Sequence, residues 1–203
     1  MTLAKKSLGQ NFLIDANIIN KILDITKIKD ENILEIGPGT GNLTSQILKR
    51  SPKKLTVIEK DGDLTKLLKN YFDQKINIIH NDVLEVDVNK LDTEKFTVFG
   101  NLPYNISTEI LCKWILNIND NNFWFKNLIL MFQKEVADRI ISKFNTTNYG
   151  RLSILSNWKL NIKKVFDVKP ICFSPSPKVE STVLLFEPKQ KFLKLKNPKN
   201  LEH

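Results

Sequence analysis

The segment from Phe99 to Tyr104 places a carboxamide, a proline turn and an aromatic ring directly after a short apolar stretch. Residues 96–99 are predicted to form a buried strand, and Pro103 ends it because proline has no N–H to donate. Pro103 also favours an extended backbone at Leu102, so the Leu102 carbonyl can point outward beside the side-chain oxygen of Asn101. Two acceptors beside the flat face of Tyr104 suit the exocyclic amine of a planar base. The segment therefore predicts the chemistry of adenine N6 methylation.

The same residues also fit an ordinary turn at the end of a strand. In that interpretation Asn101 caps the next helix, and Tyr104 lies half buried without contacting a ligand. The segment alone leaves both interpretations open, so the other features of the chain have to decide between them.

A glycine-rich loop, Gly37-Pro38-Gly39-Thr40-Gly41, follows a predicted first strand at residues 32–36. Such a loop lets the backbone approach a ligand closely while the N–H groups of the following helix face it. The dinucleotide-binding fingerprint would require glycine at position 42, where this chain has Asn42. The departure argues against a bound pyrophosphate and hence against NAD.

Two acidic residues follow the next two predicted strands. Glu59, at the end of the second strand, can accept hydrogen bonds from both hydroxyls of a ribose, and Asp82, near the end of the third, can accept one from an adenine amine. In an open α/β sheet such strand ends converge on one crevice. The pattern predicts a nucleoside-bearing cofactor; the alternative is a plain tight turn with solvated acids at helix caps.

Apolar periodicity along the chain predicts strands alternating with helices, which is typical of a parallel sheet covered on both faces. Two long final strands without a helix between them predict an antiparallel edge. The predicted helices are 17–26, 42–49, 64–72, 106–116 and 134–144, and the predicted strands are 32–36, 55–58, 76–79, 96–99, 128–132, 153–166 and 182–186.

The composition is that of a globular protein, with 41% apolar and 26% charged residues in a chain of 203. No apolar run approaches the ~18 residues that span a bilayer, and no apolar stretch follows Lys5 and Lys6 as it would in a signal peptide. Cys112 and Cys172 are expected to be buried thiols in a reducing compartment, with no disulfide or metal site. These features predict a cytoplasmic protein.

The net charge of +9 favours a polyanionic partner such as RNA. Only three of the 31 basic residues are arginines, and the chain is rich in Lys, Ile and Asn throughout, so compositional drift is the alternative. Lysine attracts phosphate but provides little of the bidentate base recognition that arginine gives.

Six sequence blocks occur in an order typical of one family, and they lie between about Lys5 and Pro188. On these blocks the chain resembles the KsgA/RsmA-type small-subunit rRNA adenine N6-dimethyltransferases. The blocks are Gly9-Gln10-Asn11-Phe12-Leu13, Glu35-Ile36-Gly37-Pro38-Gly39-Thr40-Gly41, Asn101-Leu102-Pro103-Tyr104-Asn105-Ile106-Ser107-Thr108, Gln133-Lys134-Glu135-Val136, Tyr149-Gly150-Arg151-Leu152-Ser153 and Phe173-Ser174-Pro175-Ser176-Pro177-Lys178-Val179.

The resemblance implies a Rossmann-like α/β methyltransferase fold with a mostly parallel seven-stranded sheet, an antiparallel edge and helices on both faces. It implies S-adenosylmethionine as methyl donor and dimethylation at N6 of two adjacent adenosines near the 3′ end of small-subunit rRNA. The implied partner is the 30S subunit, with no metal and no membrane, and the protein is expected to be a monomer.

The resemblance also implies roles for individual residues. The cofactor-binding residues would be Asn11 and Leu13, which close over the cofactor, Gly37 at its methionyl part, Glu59 at its ribose, Asp82 at its adenine, and Asn101 between cofactor and target base. The catalytic residues would be Asn101, Leu102, Pro103 and Tyr104 together with Phe173, where Tyr104 and Phe173 sandwich the flipped adenine. Without the resemblance, Phe173 is interpreted as a buried residue that anchors the proline-rich loop to the core.

The chain departs from the family pattern at its end, because relatives carry a further helical domain. We expect residues 1–188 to form the catalytic domain and residues 189–203 to form a basic linker or the start of that helical domain. Residues 189–200 contain five lysines and no acidic residue, which fits a linker and equally fits a solvated tail.

Three other functions fit parts of the pattern. A macrolide-resistance-type methylase of large-subunit rRNA would have the same fold. A mainly non-catalytic assembly factor that binds RNA would have a similar positive net charge. A dehydrogenase is disfavoured by Asn42 and because His80 and His203 are the only histidines.

Overall fold

The computed structural model describes residues 4–5, 8–118, 122–195 and 197. The longest described helix has 11 residues, and none of the described helices is long and apolar enough to cross a membrane. The elements are β1 (Phe12–Leu13), α1 (Ala16–Leu23), β2 (Asn32–Ile36), α2 (Asn42–Leu48), β3 (Lys54–Glu59), α3 (Gly62–Phe72), β4 (Asn77–His80), β5 (Phe96–Asn101), α4 (Ser107–Leu116), β6 (Phe125–Gln133), α5 (Lys134–Ile140), α6 (Arg151–Lys159), β7 (Leu160–Val168), β8 (Phe173–Ser174) and β9 (Ser181–Pro188).

Seven strands form one sheet in the order β4-β3-β2-β5-β6-β9-β7. The first five are parallel, and β9 lies antiparallel between β6 and β7. The predicted fold, mostly parallel with an antiparallel edge, is confirmed. After β2 the chain builds β3 and β4 on one side and then crosses to β5 on the other, so a crevice opens between the carboxyl ends of β2 and β5.

Helices cover both faces of the sheet, as predicted. Because successive side chains of a strand point to opposite faces, Ile33 packs in one apolar cluster while Leu34 and Ile36 pack in the other. The cluster around Ile33 includes residues of α1, α2 and α3, and the opposite cluster includes residues of α4, α5 and α6. A sheet buried on both faces gives a rigid edge on which a site can be built.

The predicted strand at residues 153–166 is wrong in its first half, because residues 151–159 form helix α6. The buried face of this helix contains Ser153, Ser156 and Lys159 beside Leu155, so a search for apolar periodicity does not detect it. Ser153 Oγ accepts a hydrogen bond from the Gly150 N–H at 2.9 Å and caps the helix start. The Lys159 ammonium donates to the carbonyls of Ile115 and Ile118 at the end of α4.

Other predicted boundaries are shifted. Strand β5 continues through Asn101 rather than ending at Phe99, because its pairing with β6 extends to Asn101 opposite Met131. Helix α5 ends at Ile140 instead of reaching Phe144. A two-stranded sheet that was not predicted joins β1 to β8, with Leu13 opposite Phe173.

Residues 189–195 contact α6, although Gln190, Lys191, Leu193 and Lys194 are exposed. The Lys189 N–H donates to the Lys159 carbonyl at 2.9 Å, and the Trp158 indole donates to the Leu193 carbonyl at 2.6 Å. The ring of Phe192 makes edge contacts with Phe123 and Trp158 at centroid distances of 6.2 and 6.0 Å. The expected role of residues 189–203 as a linker or domain start stays a prediction, and residues 196 and 198–203 lie outside the described part of the chain.

Candidate active site

A cavity lies at the carboxyl edge of the parallel strands, where the switch between β2 and β5 predicts a ligand site. Its walls come from the N-terminal segment, the glycine loop, the ends of β3 and β5, and the turn after β4. The predicted site residues that line it are Asn11, Leu13, Gly37, Glu59, Asp82, Asn101, Leu102, Pro103 and Tyr104.

The glycine loop has left-handed backbone conformations that favour glycine, with φ of 65° at Gly37 and 58° at Gly39. A Cβ added at Gly39 would lie 2.7 Å from the ring of Phe12, so only glycine lets the N-terminal segment pack this closely. At Gly37 an added Cβ would lie 3.7 Å from the backbone oxygen of Asn101. The loop therefore lies against both the N-terminal segment and the end of β5.

Glu59 ends β3 as predicted and points into the cavity wall, where it is 7% exposed. Its carboxylate accepts hydrogen bonds from the backbone N–H groups of Gly39, at 3.3 Å, and Asp61, at 2.8 Å. Burial raises the pKa of Glu59, and these backbone hydrogen bonds partly oppose the shift. A buried carboxylate with remaining lone pairs is suited to accept hydroxyl hydrogens from a ligand.

A second buried carboxyl, Glu35, also lines the cavity, and the sequence did not predict a role for it. It lies in the middle of β2 and accepts a hydrogen bond from the Thr44 hydroxyl of α2 at 2.7 Å. Burial raises the pKa of Glu35 to about 8, and the nearby charge of Glu59 adds to the shift. An acid within the apolar run Ile33 to Ile36 is the sequence signal that could have identified it.

Asp82 lies two residues beyond the end of β4, at the rim of the cavity. One oxygen accepts from the Lys60 ammonium at 2.6 Å and the other accepts from the Leu84 N–H at 2.9 Å. Partial burial works to raise the pKa of Asp82, but the hydrogen bonds from Lys60 and Leu84 outweigh it and lower the pKa. Asp82 is therefore held as an anion beside Lys60, a contact that the sequence did not predict.

Asn101 stands at the end of β5, and its side-chain N–H donates to the backbone carbonyl of Asn11 at 2.8 Å. No described residue donates a hydrogen bond to Asn101 Oδ1 or to the Leu102 carbonyl. The Leu102 side chain is buried, and the Pro103 carbonyl accepts from the Ile106 N–H at 3.1 Å, which starts α4. Among the described residues, neither of these two oxygens has a hydrogen-bond donor, and their role as acceptors of an amine stays a prediction.

Tyr104 follows the turn and forms a half-buried wall of the cavity. Its hydroxyl is 2.5 Å from the hydroxyl of Ser181, the first residue of β9. Burial raises the pKa of Tyr104, and the contact with Ser181 opposes the rise. The contact holds the hydroxyl end of the ring against the first residue of β9, and Tyr104 lines the same cavity as Asn101 and Leu102.

Phe173 is not among the residues that line the cavity. Its ring is 3% exposed and packs in the apolar cluster of α1, α2 and α3, and its backbone pairs with Leu13. The arrangement matches the core-anchor interpretation, and the stacking of Phe173 on a base stays a prediction.

The described residues contain no group of three or more His, Cys, Asp or Glu side chains close enough to hold a metal ion. Cys172 is buried, as predicted, whereas Cys112 is only partly buried. The polar groups that line the cavity are carboxylates, carboxamides and backbone groups, together with the Lys60 ammonium and the hydroxyls of Thr40 and Tyr104. They suit a ligand with hydroxyls, an amine and a cationic centre.

Comparison with known proteins identifies the family. A model of the ribosomal RNA adenine dimethylase family matches residues 1–203. A protein named ribosomal RNA small subunit methyltransferase A from Pelagibacter ubique is 65% identical over 199 residues, which cover 98% of this chain and 76% of that protein. A Rhizobium meliloti protein with the same name is 40% identical over 189 residues, covering 91% of this chain and 69% of the relative.

Solved structures show the same fold. A dimethyladenosine transferase from Plasmodium falciparum has a TM-score of 0.74 and 31% identity, covering 88% of this chain; this chain spans 64% of that protein. The 23S rRNA methyltransferase ErmE has a TM-score of 0.76 at 24% identity, covering 94% of this chain and 75% of that one, which is a likeness of fold alone. Because the family match runs through every element that forms the cavity, the chain belongs to the ribosomal RNA adenine dimethylase family.

Proposed function

We propose that this chain transfers methyl groups from S-adenosylmethionine to N6 of two adjacent adenosines near the 3′ end of small-subunit rRNA. The observation that carries the proposal is the pair of oxygens without described donors, Asn101 Oδ1 and the Leu102 carbonyl, at residues that line the same cavity as Tyr104. The relatives named ribosomal RNA small subunit methyltransferase A support the choice of substrate.

The cavity fits the cofactor. Glu59 would accept the ribose hydroxyls, Asp82 would accept the adenine amine, and the backbone at Gly37, which lines the cavity, would lie along the methionyl part. Asn11 and Leu13 would cover it from the N-terminal segment. When bound, S-adenosylmethionine supplies an electrophilic methyl group on a sulfonium.

The chain's own contribution to the reaction is orientation of the target amine. The lone pair of an adenine N6 is delocalised into the ring, which makes the amine a poor nucleophile. Asn101 Oδ1 and the Leu102 carbonyl would accept its two hydrogens and favour a more tetrahedral nitrogen, whose lone pair then points toward the donor. Positioning supplies most of the acceleration, and no strong base is needed because the proton can leave afterwards.

The target base must leave its stack to reach these acceptors, at a cost of a few kcal/mol. Stacking on Tyr104 would offset that cost, since a base–aromatic contact contributes roughly 1–3 kcal/mol. A second contact from Phe173 would require its ring to emerge from the core cluster in which it packs.

The partner we propose is the 30S subunit, which the net charge of +9 would attract through its phosphates. We propose that the protein acts in the cytoplasm, as a monomer and without a metal ion. Attraction through lysine predicts binding that weakens steeply as salt concentration rises.

Tritiated methyl transfer tests the proposal. Undermethylated 30S subunits and 23S rRNA are incubated separately with the protein and labelled S-adenosylmethionine, and the nucleosides of each product are separated. We expect label in N6,N6-dimethyladenosine from the 30S subunits alone. Label in 23S rRNA would favour the large-subunit alternative, and failure to label either substrate would contradict the proposal.

A further inference from the structure

We propose that Asn42 is a positioning residue that holds the N-terminal strap, residues 9–13, across the cavity and through it aligns the carboxamide of Asn101. The inference rests on the proposed function, because the alignment matters only if Asn101 receives the target amine.

Two side-chain amides hold the strap from opposite walls. Asn42 Nδ2 donates to the Leu13 carbonyl at 2.8 Å, and Asn101 Nδ2 donates to the Asn11 carbonyl at 2.8 Å. Asn42 is the first residue of α2, directly after the glycine loop, whereas Asn101 is the last residue of β5. The strap therefore connects the cofactor loop to the turn that carries the amine acceptors.

Other contacts fix the start of the strap. The buried carboxylate of Asp61 accepts from the Gln10 amide at 3.0 Å and from the Lys5 ammonium at 2.7 Å. The ring of Phe12 lies against Gly39. The strap is thus a packed segment whose far end is held by Asn42 and by the pairing of β1 with β8.

The strap determines which end of the Asn101 amide faces the amine. A carbonyl can only accept a hydrogen bond, so the Asn11 carbonyl requires the NH2 end of the Asn101 carboxamide to face it. Asn101 Oδ1 is then turned away from the strap and is available as an acceptor. If the strap moves, the amide loses the partner that distinguishes its two ends and can rotate about its side-chain bond.

Position 42 also explains the departure of the glycine loop from the dinucleotide-binding fingerprint. The fingerprint has glycine there so that helix and strand pack closely. In this chain the carboxamide of Asn42 binds protein backbone instead of a phosphate. The residue at which the loop departs from the fingerprint therefore binds the N-terminal strap.

The substitution Asn42→Asp tests the inference, because it keeps the size of the side chain and removes the donor. A carboxylate in the first turn of α2 is favourable for the helix, so the fold is expected to persist. The matched control is Asn70→Asp, an exposed asparagine of α3 outside the cavity. Two readouts are measured on each variant: hydrogen exchange of residues 8–18 by mass spectrometry, and single-turnover methylation of 30S subunits at saturating cofactor.

For Asn42→Asp we expect faster hydrogen exchange in the strap. We also expect a methylation rate lower by roughly tenfold, because the variant loses about one well-formed hydrogen bond. In the same single-turnover experiment, the half-saturating concentration of 30S subunits should change less than about threefold, because the tether does not control substrate binding. Asn70→Asp should match the wild type in both readouts.

Unchanged exchange in Asn42→Asp, or faster exchange with an unchanged rate, would overturn the inference. If the wild type itself methylates nothing, the proposed function fails, and the exchange measurement still decides whether Asn42 holds the strap. Should the aspartate variant unfold, Asn42→Ala, with a strong helix former at that position, repeats both comparisons.

Discussion

The side chain of Asn101 donates to the backbone carbonyl of Asn11 at 2.8 Å, across 90 residues of sequence. The contact uses one end of a carboxamide to bind the N-terminal strap and leaves the other end, Oδ1, for a ligand. Because the two ends differ only in being donor or acceptor, the contact decides which of them faces the cavity. Under the proposed function, orientation of the amine acceptor is therefore a property of the folded strap as well as of the turn at Asn101.

Glu59 is predicted to contribute to cofactor affinity through its carboxylate. Substitution Glu59→Gln keeps the shape but removes the charge, and we expect the dissociation constant for S-adenosylmethionine to rise roughly ten- to hundredfold, since hydrogen bonds to charged groups contribute about 1.5–3 kcal/mol. Isothermal titration calorimetry measures the constant directly. Glu187→Gln, at an exposed position of β9, is the control. An unchanged constant for Glu59→Gln would contradict the ribose contact.

Glu35 makes stability depend on pH. Its pKa is about 8 in the folded protein against an ordinary value of 4.5, so between these values the folded state holds a proton that the unfolded chain has released. Stability therefore falls as the pH rises through this window, by up to about 1.4 kcal/mol per pH unit. Below pH 4.5 and above about pH 8, the contribution of Glu35 to the free energy of unfolding no longer changes with pH.

Glu35→Gln cannot ionise and should lack this part of the pH dependence. Urea unfolding at several pH values between 5 and 8 measures the free energy of unfolding of both proteins. We expect the stability of the variant relative to the wild type to increase steadily with pH. Parallel curves for the two proteins would show that Glu35 is ionised in the folded state.

Tyr104 is predicted to bind the extruded base by stacking. For Tyr104→Ala we expect kcat/KM for 30S subunits to fall roughly 5- to 150-fold, which corresponds to a loss of about 1–3 kcal/mol. Tyr104→Phe keeps the ring and loses only the contact with Ser181, so its loss should be smaller. Tyr71→Ala, at an exposed position of α3, controls for removal of a tyrosine. Equal activity of Tyr104→Ala and the control would exclude stacking.

Substitutions of Phe173 distinguish packing of its ring in the core from stacking of the ring on the target base. Phe173→Ala should lower the free energy of unfolding by about 3–5 kcal/mol, because the ring is buried. Phe173→Leu keeps most of the apolar volume, so stability should change little. If Phe173 also stacks on the base, methylation by Phe173→Leu should fall while its thermal stability is preserved. Retained methylation in that variant would assign the residue to the core alone.

Much of the fold could be predicted because its signals are local. Strand β2 is an apolar run followed directly by the glycine loop, whose residues permit a sharp turn. The observed bounds of β2, Asn32–Ile36, are the predicted ones. Helix α6 could not be predicted in this way, since its buried face carries Lys159, whose hydrogen bonds depend on the end of α4. Contacts between distant segments determine that helix.

In the candidate site, too, some features could be predicted from the sequence and others could not. Glu59, Asp82 and Asn101 could be placed because the carboxyl ends of parallel strands meet at one edge of the sheet. Two contacts could not be predicted: the ion pair of Lys60 with Asp82 and the hydrogen bond from Asn42 to Leu13. Side-chain contacts between distant segments leave no periodic signal in the sequence. The burial of Phe173 likewise depends on pairing between β1 and β8.

The substitution Asn101→Ala gives the most direct test of the central claim. Single-turnover methylation of 30S subunits is measured at saturating S-adenosylmethionine, with calorimetry of cofactor binding alongside it. We predict a rate lower by roughly a hundredfold or more, as for loss of a preorganised polar group worth about 3–4 kcal/mol, with cofactor affinity largely kept. A rate within about tenfold of the wild type would contradict the claim that Asn101 accepts the target amine.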